Sequence, residues 1–336
     1  MRPRPPTVAE LGEIRLVRVL RRTLDRPGAC SVANGDDALV WQPQGQVVAT
    51  VDSVVEGVDW LAEVAPPEAV GHRAAAVNLS DLAAMGAEPK LLLLALECRG
   101  DVSSEWLLRA ARGLAATADR FGCSVAGGDV GLCPGPQRWS VTALGQLQGP
   151  PLLRSTARPG DRVWLIGRVG WAALGLAWLQ RHPHEPPADH WAAPFVRAHW
   201  WPEPLVAAGR HLQALAQGGA RISCLDVSDG LALDAARLAE ASRVGIHLQL
   251  AAPAWPAEAL DWLKTQELSP AELVGAGGDD YALLVAAPAD LDLAAAWPWP
   301  ELPCTAIGEI TVGPAGKAFV AVGNQVVQGA GWLHGT

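Results

Sequence analysis

The chain is poor in several features, and each scarcity closes off a class of protein. Lysine occurs only at Lys90, Lys264 and Lys317, and no Gly-x-x-x-x-Gly-Lys-Ser/Thr stretch is present. A lysine-bearing phosphate loop is therefore excluded. No basic run follows the first two dozen residues, and the net charge is −9 with a pI of about 5.4. Nucleic acid is not an expected partner, because binding a phosphate backbone needs a basic surface. The six cysteines never form a Cys-x-x-Cys pair, so they are expected as reduced, partly buried residues. The apolar run Leu91–Leu96 is far too short to span a bilayer. The first 24 residues carry arginines, Glu10, Glu13 and early prolines, without the apolar core of a signal peptide. A soluble cytoplasmic protein with no membrane partner is the expectation.

What is present points to an ordinary globular chain. Of the 336 residues half are hydrophobic and 18% are charged, which supports a sizeable core and argues against disorder. That length suits two domains. Val8 to Leu24 reads as an amphipathic surface helix. Residues 46–55, β-branched and apolar, read as a buried strand. His72–Met85 has helical spacing, Leu91–Cys98 reads as a strand, and Ser103 is placed to cap a helix reaching Phe121. Val141–Leu147 is a further strand. The Gly149-Pro150-Pro151 break then separates a first domain, 1–150, from a second, 151–336. In the second, the pattern gives strand Val163–Ile166, helix Gly170–Gln180 and a proline- and histidine-rich surface loop over Arg181–Pro194. Helix Pro204–Ala216, strand Ile222–Val227 and helix Leu231–Ser242 follow, and Tyr281–Ala287 and Cys304–Ile310 complete the strands. His182, His184 and His190 are irregularly spaced in the proline-rich loop, which favours a solvated loop over a metal site. There is no fixed-period repeat and no heptad seam, and two α+β domains are expected.

Five stretches set carboxylates beside glycine or within apolar sequence: Gly35-Asp36-Asp37, Thr50-Val51-Asp52, Asn78-Leu79-Ser80-Asp81, Gly127-Gly128-Asp129 and Asp226-Val227-Ser228-Asp229-Gly230. None contains Lys or Arg. An ionised carboxylate among apolar neighbours is costly unless a cation or donors compensate it. Convergence of several such groups calls for a divalent cation. Magnesium fits best, since it prefers carboxylate and water oxygens and usually arrives with a phosphate. Asp229 is also placed to cap the helix that starts at Leu231, and Trp332, one of 15 tryptophans, to pack or to stack on a ring.

These stretches, with Val54-Val55-Glu56-Gly57-Val58, Ser140-Val141-Thr142-Ala143-Leu144-Gly145, Arg154-Ser155, Arg158-Pro159-Gly160-Asp161, Gly277-Gly278-Asp279-Asp280-Tyr281 and Gly331-Trp332-Leu333-His334, run in one order along almost the whole chain. The ordered set resembles the thiamine-monophosphate kinases, in the superfamily of aminoimidazole-ribonucleotide synthetase. The resemblance implies a two-domain α+β synthetase-like fold. Its N-terminal domain would bind ATP and magnesium, its mixed sheet pairing with that of a second subunit in a dimer-interface barrel, and its C-terminal domain would be α/β. It implies transfer of the ATP γ-phosphate onto thiamine monophosphate in a homodimer. Position by position, it puts Asp37, Thr50, Val51, Asp52, Asp81, Asp129, Asp226 and Asp229 at magnesium positions. Gly128, Asp129, Arg154 and Ser228 fall on nucleotide positions, and Asp59, Asp279 and Trp332 on substrate positions. Direct transfer needs no covalent nucleophile. The chain departs from the family where Asp59 replaces His, Val51 and Val130 replace Thr, and Asp279 replaces Glu. Those departures leave open another ATP-using member of the superfamily, or a nucleotide-binding regulator without activity. Selenophosphate synthesis is disfavoured because Cys30 has no neighbouring lysine, and hydrogenase maturation because the chain does not end in Cys.

Overall fold

The computed structural model describes residues 4–25, 28–32, 37–295, 297–329 and 331–332. Gly35, Asp36, Leu333 and His334 lie outside them. The chain divides into two compact units, Met1–Leu82 with Ala87–Gln148, and Ala83–Gly86 with Gly149–Thr336.

Unit 1 begins with α1 (Val8–Leu11) and α2 (Glu13–Leu24), followed by the short pair β1 (Cys30–Val32) and β2 (Val40–Trp41). The single helix expected over this stretch is broken at Gly12, whose φ of 79° is reached readily only by glycine. Then come β3 (Gln46–Val55), α3 (Pro67–Ala84), β4 (Glu88–Cys98), α4 (Ser104–Arg120), β5 (Ser124–Leu132) and β6 (Arg138–Leu147). The last four strands form an open sheet in the order β3-β6-β4-β5, with only β4 and β5 parallel. Ser103 caps α4, its hydroxyl accepting from Trp106 N at 3.4 Å. Helix α3 starts at Pro67 rather than His72, as a proline at the first helical position allows. It crosses α4 backbone to backbone: a Cβ at Gly71 would strike Ala110 O, and one at Gly113 would strike Glu68 O.

The expectation of a buried strand over 46–55 does not hold. Among the described residues strand β3 pairs only with β6, and Val47 and Val51 are 48% and 63% exposed. A run of β-branched residues reports the strand but not whether both of its sides are covered. Strand β5 was not anticipated, because Gly127 and Gly128 depress strand propensity.

Unit 2 contains β7 (Arg162–Ile166), α5 (Trp171–Leu179), α6 (Ala193–Trp200), α7 (Val206–Gln217), β8 (Ser223–Val227), α8 (Leu231–Ser242) and β9 (Gly245–Leu250). It continues with α9 (Ala257–Thr265), α10 (Pro270–Ala276), β10 (Ala282–Ala287), β11 (Cys304–Thr311), β12 (Lys317–Val322) and β13 (Gln325–Val326). Seven strands order as β13-β12-β9-β11-β7-β10-β8, with β12 and β9 parallel and the other pairs antiparallel. The strand period of two splits two cores. Val163, Leu165, Leu284 and Val227 face one core together with α8, while Trp164, Ile166, Leu283 and Cys224 face another with α7. Burial on both faces explains the near-continuous apolar runs of β7, β8 and β10. Strands β9, β12 and β13 and helices α6, α9 and α10 add to the elements expected. The 181–194 loop is more ordered than expected: His182, His184 and His190 ring Trp178 at centroid distances of 4.8, 5.4 and 5.7 Å. Among the described residues, no helix is long and apolar enough to cross a membrane.

Candidate functional site

In unit 1, strand periodicity turns Thr50 and Asp52 to one face of β3 and Val51 to the other. Thr50 Oγ1 donates to Asp81 Oδ2 at 2.5 Å, and Asn78 Oδ1 accepts from Asp52 N at 2.9 Å. Asn78 and Asp81, three apart on α3, share a helical face. The Thr50-Val51-Asp52 and Asn78–Asp81 stretches thus meet at one corner. Only the backbone of Val51 shares it, because the Val51 side chain lies opposite.

A cavity of about 540 Å³ in the same unit brings Asp37 together with Gly127, Gly128 and Asp129. Its other wall is Val17, Leu20, Arg21 and Leu24 of α2. Strand β5 can lie this close because Gly128 has no side chain: a Cβ there would collide with Leu94 O. Carboxylates at one end, a bare backbone beside them and an apolar wall opposite suit a phosphorylated ligand with a hydrophobic ring. Arg21 was missed by the sequence reading. The only signal was a basic residue beside the buried stripe Leu16, Leu20 and Leu24.

Asp59 has a defined structural task. Its Oδ2 accepts from Val55 N at 2.7 Å while its own N–H donates to Val55 O at 2.9 Å, closing the turn after β3. Part of the charge expected to face a substrate phosphate is spent on that turn.

In unit 2, Asp226 is the penultimate residue of β8 and is buried, and Ser228 and Asp229 follow in the loop before α8. Backbone bonds gather the other expected residues here. Asp279 N donates to Ser228 O at 2.7 Å, Tyr281 N to Val227 O at 2.8 Å, and Trp332 N to Asp229 O at 2.8 Å. Asp279 and Tyr281 hold φ of 71° and 52°, a conformation costly for non-glycine residues and typical of over-determined sites. Between them Asp280 turns its carboxyl inward, accepting from Gly170 N at 2.6 Å and Ala172 N at 3.0 Å at the first turn of α5. Burial pushes that carboxyl up to about 7, against the two amide donors. Arg154 is exposed, with its carbonyl accepting from Ser242 Oγ at 2.8 Å.

Two further residues shape this loop. Asp234 Oδ2 accepts from the N–H groups of Ser228, Asp229 and Gly230 at 3.1, 3.0 and 3.2 Å. Arg237 donates to Asp234 Oδ1 at 2.7 Å and to Asp229 Oδ2 at 2.5 Å. Burial raises the Asp234 carboxyl, while Arg237 opposes the rise. Asp234, not Asp229, therefore satisfies the N–H groups ahead of α8, and Asp229 has a cationic partner that its own stretch did not show. Only the three-residue spacing of Asp234 and Arg237 on one helix face hinted at this pair.

The carboxylates are also less buried than their apolar settings suggested. Asp37, Asp52 and Asp129 are exposed, Asp81 and Asp229 half-buried, and only Asp226 buried. Burial alone therefore does not demand a cation. Among the described residues no group of three or more His, Cys, Asp or Glu side chains is gathered as a metal cage. The donor set is still all oxygen, which suits magnesium, an ion usually held by one or two carboxylates plus phosphate and water.

Residues 35–147 match the N-terminal domain of AIR synthase related proteins, and residues 158–321 match their C-terminal domain. The thiamine-monophosphate kinase of Rhodopirellula baltica is 31% identical over 317 residues, covering 91% of this chain and 92% of its own. The crystal structure of thiamine-monophosphate kinase from Stenotrophomonas maltophilia K279a superposes with a TM-score of 0.75 at 34% identity, covering 91% of this chain and 94% of that one. AaThiL complexed with AMPPCP and TMP gives a TM-score of 0.72 at 28% identity, covering 97% of each chain. The two units are AIR synthase-related domains of α+β content with mixed sheets, and the chain belongs to the thiamine-monophosphate kinase family.

Proposed function

We propose that this chain transfers the γ-phosphate of ATP directly to the phosphate of thiamine monophosphate, giving thiamine diphosphate. The observation that carries it is the match to thiamine-monophosphate kinases over nearly the whole chain, including the complex with AMPPCP and TMP. Phosphoryl transfer asks the protein for positioning and charge neutralisation rather than covalent chemistry.

Magnesium, when bound, would supply positive charge to the transferring phosphate oxygens. Asp37, Thr50, Asp52, Asp81, Asp129, Asp226 and Asp229 are assigned to hold it, with Val51 contributing through its backbone. A phosphate is assigned to the β5 backbone at Gly128, supported by the cavity that Gly128 shares with Asp37 and Asp129. Arg154 is free to clamp phosphate oxygens in a bidentate pair, and Ser228 offers a hydroxyl to the nucleotide. Asp279 and Trp332, with Asp59, are assigned to thiamine monophosphate. Tyr281 Oη donates to Asp279 Oδ1 at 3.3 Å, which restrains that carboxylate.

We further assign residues 1–150 to nucleotide binding and dimerisation and 151–336 to the second domain, in a cytoplasmic homodimer. The exposed edge of β3 supports the dimer, since an apolar free edge is stable only when covered. A barrel would close if β3 of a second copy extended the sheet. Purified protein given ATP, magnesium and thiamine monophosphate should release one ADP per thiamine diphosphate. ATP consumption without thiamine diphosphate would refute the reading.

A further inference from the structure

One carboxylate in unit 2, which the sequence motifs do not include, is tied to four of the assigned site residues. Asp234 is 1% exposed, and its Oδ2 accepts the consecutive N–H groups of Ser228, Asp229 and Gly230. Three amides aimed at one oxygen fix the backbone of that loop, since moving it leaves donors unpaired. The other oxygen, Oδ1, accepts from Arg237 Nη1 at 2.7 Å, and the same nitrogen donates to Asp229 Oδ2 at 2.5 Å. Asp234 thus holds the backbone of Asp229, and Arg237, seated on Asp234, holds its carboxylate.

The loop is gripped as closely on its carbonyl side. Ser228 O accepts from Asp279 N at 2.7 Å, and Asp229 O accepts from Trp332 N at 2.8 Å. The residue before each donor is a glycine lying against the same carbonyl. A Cβ at Gly278 would stand 2.7 Å from Ser228 O, and one at Gly331 would stand 2.6 Å from Asp229 O. With a backbone bond and a bare-glycine contact at each point, a shift of the loop is passed on to Asp279 and Trp332.

We propose that Asp234 is a positioning residue for both substrates, and Arg237 a positioning residue for the nucleotide side alone. Asp234 sets Ser228 and Asp229 through their own amides, and Asp279 and Trp332 through the carbonyls of the same loop. Among the described residues Arg237 bonds only Asp229 and Asp234, and without it Asp234 Oδ2 still accepts the three amides. The division of labour rests on the nucleotide and substrate assignments made under the function proposed above.

The test is Asp234→Asn, which keeps the shape but leaves one oxygen for two tasks. Turned to the loop, the amide sets its NH₂ against Arg237; turned to Arg237, it sets its NH₂ against three N–H donors. Well below the melting transition, the KM for ATP and the KM for thiamine monophosphate should each rise at least tenfold, since a displacement of about 1 Å can cost 100-fold. Arg237→Met should raise the KM for ATP about tenfold and leave that for thiamine monophosphate unchanged. Combining the two substitutions frees the amide oxygen to face the loop. The KM for thiamine monophosphate should then recover while that for ATP stays raised, and this double variant also serves if Asp234→Asn alone does not fold. A lower melting temperature with both KM values unchanged would show that Asp234 only supports the fold, overturning the proposal. A rise in the KM for thiamine monophosphate in Arg237→Met, or no recovery in the double variant, overturns it too. Should the wild type make no thiamine diphosphate, the functional reading fails alone. Calorimetric titration with AMPPCP and magnesium then decides: binding at least tenfold weaker in Asp234→Asn supports the positioning, and equal or absent binding overturns it.

Discussion

Asp52 and Asp129 stand exposed on different strands of the unit 1 sheet, where neither is needed for packing. Asp52→Asn and Asp129→Asn should therefore leave the thermal midpoint within a degree or two while cutting turnover at least 100-fold. Losing one electrostatic contributor to a transition state typically costs about 3–4 kcal/mol. Near-normal turnover at saturating magnesium would remove that residue from the site. Asp280 behaves differently. Its carboxyl holds a proton up to about 7 in the folded protein, whereas in the unfolded chain it would release it near the ordinary carboxylate value of 3.8. The folded state thus binds the extra proton between those values, so this residue's contribution to stability falls as pH rises from about 4 to 7 and is level above. Asp280→Asn should be less stable throughout, since an amide oxygen accepts from Gly170 or Ala172 but its NH₂ cannot. It should also lose this component, on the order of 2–4 kcal/mol at about 1.4 kcal/mol per pH unit. Denaturant unfolding of both proteins from pH 5 to 8 checks it, and parallel pH profiles would contradict the assignment.

At the scale of elements, the α3–α4 crossing depends on two glycines. Gly113→Ala drives a methyl group into Glu68 O, and because both neighbours are helix backbone neither can give way. Overpacking of this kind costs about 3 kcal/mol, which calorimetry would report as a large fall in melting temperature. A midpoint within a degree of wild type would mean the helices part freely. Elements with local signals were legible in advance: α8 runs from Leu231 to Ser242 as its spacing indicates, and α4 starts at the cap supplied by Ser103. Strand β5 was not, because its glycines serve a close approach to β4 that is set by a distant part of the chain. The exposure of β3 was likewise invisible, since it depends on which strand lies beside it. Among the site residues, the ordered motifs brought Asp279 and Trp332 to the Ser228-Asp229 loop. The Asp234–Arg237 latch that shapes that loop was hidden, because a charged pair on a helix usually reads as a solvated face.

For the whole molecule, light scattering should give about twice the 35.2 kDa chain mass. A clean monomer at micromolar concentration would contradict the dimer. Replacing Val51, 63% exposed on β3, with Lys should shift the protein towards monomer by placing a charge on an edge meant to pair. The open strand has a second property: it carries Thr50 and Asp52 on one of its faces. Whatever covers the strand also borders those oxygens. If self-association and nucleotide binding are coupled through this strand, the effect of each on the other is reciprocal, and a favourable coupling is the expected outcome. The enzyme would act as its own concentration gauge, with specific activity falling on dilution to nanomolar levels and recovering when ATP and magnesium are added before dilution. Specific activity independent of dilution would show that the edge and the donors are thermodynamically separate.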